Sequence, residues 1–98
     1  MRYKVKFPSK SLSKKFTRVL NKIPSEKIRD KIMEDVLNLA YNPRPHGKPK
    51  LKPPVEVYSY VAQHRLRIGD YRVLYDVDDK KRTAWILALT KRSEKTYK

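Results

Sequence analysis

The sequence predicts an α+β fold in which a two-helix hairpin packs on one face of an antiparallel sheet. Three observations predict it: a short alternating strand pattern at the N-terminus, two amphipathic helical patterns directly after it, and several strand patterns in the second half of the chain. The order β-α-α followed by a β-meander (β-α-α-β-β-β) places helices and sheet in separate layers. At 98 residues, the chain is expected to form one domain spanning residues 1–98.

The N-terminal half contains the patterns of one strand and two helices. Tyr3, Val5 and Phe7 alternate with basic residues, as in a strand with one buried face, and Pro8 ends this strand. Ser9 or Ser11 is a suitable N-cap for a first helix, whose apolar positions are Leu12, Phe16, Val19, Leu20 and Ile23. Pro24 ends it, and Ser25 can cap a second helix with the apolar stripe Ile28, Ile32, Val36 and Leu39.

The second half begins with a connector and continues with strands. Residues 42–54 are rich in proline and basic residues, which excludes a helix or a central strand there. Four strand patterns follow, at Val55–Val61, His64–Ile68, Tyr71–Val77 and Arg82–Thr90. Gly69-Asp70 is expected to form a two-residue hairpin loop, and residues 78–81 a turn. The strand at the N-terminus is expected to join this sheet.

The charge balance indicates a polyanionic partner. Lys and Arg number 25 against 10 Asp and Glu, which gives a net charge of +15. Self-repulsion on this scale destabilises a compact chain unless an anion neutralises it. Composition alone leaves RNA, DNA, anionic lipid and an acidic protein segment open as partners.

Several classes of protein are excluded by the same composition. Cysteine is absent, which excludes disulfides and thiolate metal sites and fits a cytoplasmic location. The first residues alternate in charge and lack the apolar core of a signal peptide, and no apolar run is long enough to span a bilayer. We therefore expect no membrane partner.

The Gly69-Asp70 loop fixes which residues of its two strands face each other. Around a two-residue loop Ile68 faces Tyr71, Arg67 faces Arg72, and Arg65 faces Leu74. Because side chains alternate across a sheet, Arg65, Arg67 and Arg72 are expected on one face. Leu66, Ile68, Tyr71 and Val73 then lie on the other, under the helices. The arginine-bearing face is expected to be open.

Two interpretations of these arginines stay open on the sequence. Like charges opposed across strands are destabilising, so Arg67 beside Arg72 needs a counter-charge or a ligand anion. Asp70 and Asp76 lie close enough on the predicted sheet to be structural partners of Arg67 and Arg65. Arg72 has no obvious acidic partner, and its guanidinium group suits a bidentate contact with a phosphate.

RNA cleavage is chemistry that such a surface can perform without a metal. The ribose 2′-hydroxyl attacks the adjacent phosphorus when a base takes its proton, cations stabilise the charged phosphorane, and an acid protonates the leaving 5′-oxygen. The sequence contains no metal-ligand cluster, no serine triad and no phosphate-binding glycine loop, and no cofactor is expected. Chemistry here would therefore depend on Arg, Lys, Tyr and His64.

The run His64–Val77, HRLRIGDYRVLYDV, resembles the central motif of the RelE/ParE toxin superfamily. An apolar strand at Trp85–Leu89 follows it, then Lys91-Arg92, and then a tyrosine near the end of the chain, Tyr97. The β-α-α order upstream and the basic segment 50–52 agree with the same pattern. The resemblance covers nearly the whole chain.

The resemblance implies a toxin that cuts messenger RNA on the ribosome and is neutralised by a cognate antitoxin, here expected to be acidic and helical. Carried over by position, the catalytic candidates are Arg65, Arg72, Arg92 and Tyr97. A further lysine of the family pattern falls on Gln63, and the adjacent His64 is the candidate to replace it in proton transfer. The residues expected to bind RNA around them are Arg67, Lys48, Lys50, Lys52 and Lys91.

Two other functions are compatible with the sequence. A ParE-like member would block DNA gyrase without cutting nucleic acid, and the shared fold does not separate the two branches. A plain RNA-binding or ribosome-associated protein without catalysis would also explain the charge.

Overall fold

A computed structural model describes residues 2–45 and 51–91 of the chain. Its elements follow the predicted order and confirm the α+β fold class. They are β1 (Lys4–Lys6), α1 (Lys10–Lys22), α2 (Glu26–Asn38), β2 (Val55–Val57), β3 (Tyr60–Ala62), β4 (His64–Ile68), β5 (Tyr71–Asp78) and β6 (Thr83–Lys91).

The main sheet has four strands in the order β1-β6-β5-β4. The strands β4, β5 and β6 form an antiparallel meander, as predicted. The N-terminal strand β1 joins the sheet and pairs with β6 in parallel, which makes the last strand an interior one. This mixed sheet carries the candidate residues His64, Arg65, Arg67 and Arg72.

Both helices begin where the serines predict. The Ser9 hydroxyl accepts a hydrogen bond from the Leu12 amide, and the Ser25 hydroxyl accepts one from the Ile28 amide. Each serine thus satisfies an amide that the helix itself leaves unpaired. The second helix ends at Asn38, four residues before the connector that begins at residue 42.

The main core lies between the helices and one face of the sheet. The helices contribute Phe16, Ile23, Ile32 and Val36, and the sheet contributes Leu66, Ile68, Val73, Tyr75 and Ile86. Leu66, Ile68 and Val73 lie on the face that strand alternation assigned to the helices. We call it the helix face.

The prediction of one strand at Val55–Val61 is wrong. The chain reverses at Tyr58-Ser59, and its two halves form the separate two-stranded sheet β2-β3. Tyr58 has a φ of 56°, in the left-handed region that a tyrosine rarely adopts.

The expectation that the arginine-bearing face of the sheet is open is also wrong, because the β2-β3 hairpin covers part of this second face. Val57 and Ala62 of the hairpin pack with Leu74, Leu87 and Ala88 in a second buried cluster, to which α1 contributes one residue, Leu12. The pairing of β5 with β6 shifts by one residue between Leu74 and Tyr75. Such bulges redirect side chains, and here both Leu87 and Ala88 enter the second cluster. Only part of the second face is uncovered.

Candidate nucleic-acid interface

The structure confirms the pairing predicted for the β4-β5 hairpin. Arg67 faces Arg72, Arg65 faces Leu74, and Leu66 faces Val73. Gly69 opens the connecting loop with a φ of 57°, which glycine adopts without strain. Arg65, Arg67 and Arg72 therefore share the face opposite the helices, and we call these three residues the arginine patch.

The arginine patch borders the part of the sheet that the β2-β3 hairpin covers. Arg67, Arg72 and Thr90 form one row across three strands, and the next row is Arg65, Leu74 and Ala88. Leu74 and Ala88 belong to the second buried cluster. Arg67 is exposed, whereas Arg65 and Arg72 are half-buried at the edge of that cluster.

Arg65 and Arg72 each make a contact with another group of the protein, so neither guanidinium group is free. Within residues 2–45 and 51–91, Arg67 forms no ion pair, so its predicted pairing with Asp70 is not formed there. An intramolecular contact holds a guanidinium group in a defined direction, which favours the fixed geometry that a phosphate requires.

His64 does not lie with the arginine patch. It faces Tyr75 across the hairpin, on the helix face, and it is 6% exposed. Its ring stacks on the Tyr75 ring with centroids 5.4 Å apart and planes at 29°. The structure thus separates His64 from the arginines with which the sequence grouped it.

The other predicted RNA-binding residues are only partly described. Lys91 is exposed but faces Tyr71, so its position belongs to the helix face. Lys52 is exposed beside Leu51, whose amide donates to the Gln63 carbonyl at 2.9 Å. The remaining candidates lie outside the described residues: Lys48, Lys50, Arg92 and Tyr97.

A polar cluster that the sequence did not predict lies at the opposite end of β5. Asp79 accepts two hydrogen bonds from the Arg44 guanidinium group, at 3.2 and 2.9 Å, and one from the Tyr3 hydroxyl at 2.6 Å. Hydrogen bonding to Arg44, and then to Tyr3, lowers the pKa of Asp79. The same contact with Asp79 raises the pKa of Tyr3. This cluster joins the N-terminal strand, the connector and the β5-β6 turn.

Tyr75 also binds the connector through a hydrogen bond. Its hydroxyl donates to the Pro43 carbonyl at 2.9 Å, and its ring is buried in the main core. Burial raises the pKa of Tyr75 to about 12. The sequence did not predict this hydrogen bond, because a contact between residues 32 positions apart leaves no local signal.

The described part of the chain contains neither a metal-binding cluster nor a membrane-spanning helix. Within residues 2–45 and 51–91, no three His, Asp or Glu side chains are arranged to hold a metal ion. None of the described helices is long and apolar enough to cross a membrane. A cavity of about 330 Å³ lies between the end of α2 and Leu66, away from the arginine patch.

The β-α-α order, the mixed sheet and its arginine patch define the class of small basic α+β proteins with a RelE-like fold. A family model described as the ParE toxin of the type II toxin-antitoxin system, parDE, matches residues 11–96. The chain therefore belongs to the RelE/ParE superfamily of type II toxins. No protein with a curated description matches it.

Solved structures of RelE proteins share this fold. A chain of the archaeal RelE-RelB complex from Pyrococcus horikoshii is 29% identical, with a TM-score of 0.67 over 97% of this chain and 100% of that one. A chain of the Mycobacterium tuberculosis toxin-antitoxin complex RelBE2 is 26% identical, with a TM-score of 0.52 over 96% and 95% of the two chains. A RelE mutant from E. coli in the free state is similar in fold alone, at 19% identity, a TM-score of 0.59 and coverages of 95% and 86%.

Proposed function

We propose that this toxin is an endoribonuclease that cuts ribosome-bound messenger RNA by attack of the ribose 2′-hydroxyl. The observation that carries the proposal is the arginine patch. The patch places three guanidinium groups on one face of a rigid hairpin, in a chain with a net charge of +15. Guanidinium groups contact phosphates through two parallel hydrogen bonds, so this surface suits a phosphodiester.

The proposed reaction needs charge stabilisation and proton transfer. The 2′-oxygen forms a bond to phosphorus while the bond from phosphorus to the 5′-oxygen breaks, leaving a 2′,3′-cyclic phosphate and a 5′-hydroxyl. Negative charge grows on the phosphoryl oxygens in the transition state, where Arg72 and Arg65 would stabilise it. The 2′-proton passes to a base, and the 5′-oxygen takes a proton from an acid.

The arginines cannot perform the proton transfers. A guanidinium group has a pKa above about 12 and does not release a proton near neutrality. Since His64 lies on the helix face, we assign proton transfer to Tyr97 and additional charge stabilisation to Arg92, in line with the family pattern. Thr90 pairs with Arg72, and the chain continues through Lys91 to Arg92, so the C-terminal segment starts next to the arginine patch.

We also propose a cognate antitoxin as the physiological partner. Two of the similar structures are complexes of a RelE protein with its antitoxin. An acidic helical segment could lie over the arginine patch and neutralise it. RNA and antitoxin would then compete for the same guanidinium groups.

Replacing Arg72 tests the nuclease proposal. Arg72→Ala should lower the rate of mRNA cleavage on programmed ribosomes about a hundredfold or more, because one preorganised cation is lost from the transition state. Primer extension on the recovered mRNA measures the cut. Lys80→Ala, an exposed change in the β5-β6 turn, is the matched control and should cleave normally. Full activity of Arg72→Ala, with a thermal unfolding profile like that of the control, would contradict the role given to Arg72, and intact mRNA after incubation with the unmodified chain would contradict the nuclease proposal.

A second candidate, inhibition of DNA gyrase, is favoured by one observation: the matching family model is that of ParE. Addition of the toxin to a supercoiling assay and to a ribosome cleavage assay separates the two. Loss of supercoiling with intact mRNA would identify the gyrase inhibitor, and cut mRNA with normal supercoiling would identify the nuclease.

A further inference from the structure

The two helices of the hairpin differ sharply in charge. Helix α1 contains five basic residues and no acidic one, whereas α2 contains four acidic residues and three basic ones. The basic residues of α1 fall mainly on one line along the helix, and we call this line the basic stripe: Lys10, Lys14, Arg18 and Lys22. All four side chains are exposed.

The basic stripe is unfavourable for the helix that carries it. Neighbours along the stripe are four residues apart, so like charges lie side by side over three consecutive turns. No acid on α1 compensates them, and Lys10 stands in the first turn, where the helix dipole disfavours a cation. A bound polyanion would remove this repulsion, and α2 shows that the fold itself accepts a helix with mixed charge.

The basic stripe is a different surface from the arginine patch. Helix α1 packs through Phe16 into the main core on the helix face, and Leu12 near its N-terminus reaches the second cluster, whereas the arginine patch points from the other face of the sheet. One RNA strand held at the patch would therefore not by itself account for the charge on α1. The stripe needs an anionic partner of its own.

The shape of the stripe favours the backbone of a double-stranded RNA. With a rise of 1.5 Å per residue, its charges stand about 6 Å apart along the helix axis and span about 18 Å, and each step of four residues turns them about 40° around the helix. Lys15 lies beside this row and adds a fifth cation to the same helix. A convex helix with point charges can follow a phosphate backbone, whereas single strands are usually held in grooves with stacking platforms.

An exposed aromatic residue lies beside the stripe. The Lys15 ammonium group sits 4.2 Å from the centre of the Tyr58 ring, which is 46% exposed at the tip of the β2-β3 hairpin. This contact links the hairpin to α1 and places Tyr58 at the flank of the stripe.

We propose that the basic stripe of α1 is a second RNA-binding surface, which holds the sugar-phosphate backbone of a double-stranded RNA segment while the arginine patch holds the strand to be cut. The choice of RNA as the partner rests on the proposed function, and ribosomal RNA helices are the source it implies. The stripe would then dock the toxin on its substrate particle without reading sequence.

The test compares two triple variants of equal net charge. The stripe variant replaces Lys14, Arg18 and Lys22 with Gln, and the control variant replaces the exposed residues Lys27, Lys80 and Lys81 with Gln. Both reduce the net charge by three, from +15 to +12. Gln resembles Lys and Arg in helix propensity, so both variants should fold, and circular dichroism checks this.

The probe is a labelled 20-base-pair RNA duplex of mixed sequence, titrated by fluorescence anisotropy at several salt concentrations. Each lost phosphate contact lowers the slope of log K against log salt by about 0.9, so the stripe variant should lose about 2–3 in slope and bind at least tenfold more weakly at 0.1 M salt. The salt slope of the control variant should change by less than half as much. Equal behaviour of the two variants would overturn the proposal, as would a loss confined to a DNA duplex.

The result is independent of the nuclease proposal. Cleavage is not measured in this titration, so its outcome does not depend on nuclease activity. If the unmodified chain leaves ribosome-bound mRNA intact but the stripe variant loses duplex binding, the nuclease proposal fails and the stripe stands. If the stripe variant binds duplex like the control but no longer binds the antitoxin, the stripe is a protein interface and the RNA proposal is overturned.

Discussion

The opposed pair Arg67-Arg72 predicts that the arginine patch lowers the stability of the sheet. These residues face each other directly on β4 and β5. Replacing Arg67 with Glu turns a repulsive cross-strand pair into an attractive one. Cross-strand charge pairs contribute roughly 0.2–1 kcal/mol in either direction, so the reversal should stabilise the fold by about 1 kcal/mol. For a chain of 98 residues this corresponds to a rise in Tm of about 4–8 °C.

A matched control separates the pair from the general effect of charge. Arg67→Glu lowers the net charge from +15 to +13, which relieves self-repulsion by itself. Lys4→Glu makes the same change at an exposed position on β1, where the cross-strand neighbour is the uncharged Thr83. Only the amount by which the Tm of Arg67→Glu exceeds the Tm of Lys4→Glu measures the effect of the opposed pair.

Thermal unfolding followed by circular dichroism, at low salt and at about 1 M salt, provides the assay. The excess stability of Arg67→Glu should shrink at high salt, where the Debye length falls to about 3 Å. The same variant should bind RNA more weakly than Lys4→Glu, since it removes a cation from the arginine patch. Equal Tm values for the two variants would refute the argument that binding and stability compete at this pair.

Three further predictions concern the core and the hydrogen bond between Tyr75 and Pro43. Tyr75→Phe removes the hydrogen bond to the Pro43 carbonyl and should destabilise the fold by about 0.5–1.5 kcal/mol in urea unfolding, more than Tyr71→Phe on the same strand; equal losses would contradict this. Because the folded state raises the pKa of Tyr75 from about 10 to about 12, this tyrosine favours folding fully below pH 10 and loses that contribution as pH rises through 12; Tyr75→Phe should lack this part of the alkaline decline. Ile32→Ala, at a fully buried position, should lose about 2–5 kcal/mol, whereas Leu37→Ala, at a 58% exposed position on the same helix, should stay within about 0.5 kcal/mol; similar losses would show that the core is placed elsewhere.

The sequence was sufficient wherever a short-range rule determines structure. Ser9 and Ser25 predicted the helix starts, because a cap bonds to an amide three residues away. Gly69-Asp70 predicted the pairing of Arg67 with Arg72, because a two-residue loop leaves one register and alternation then assigns the faces. The arginine patch was predictable for this reason.

Long-range and strained features were not predictable. The chain reverses at Tyr58, which has a left-handed backbone although it is neither glycine nor asparagine. The sequence therefore predicts one continuous strand at Val55–Val61. The placement of the resulting hairpin on the second face depends on tertiary packing, as does the contact between Arg44 and Asp79. His64 was grouped with Arg65 by sequence proximity, although neighbours along a strand point to opposite faces.

The position of β6 has a consequence for the synthesis of this toxin. This strand lies between β1 and β5, yet it is the last strand in the described part of the chain. During synthesis, β6 therefore cannot connect β1 to the β4-β5 hairpin until residue 91 has emerged from the ribosome. A message truncated before that point yields only an incomplete sheet, and the cell is exposed to a working toxin only after nearly the whole chain has been translated.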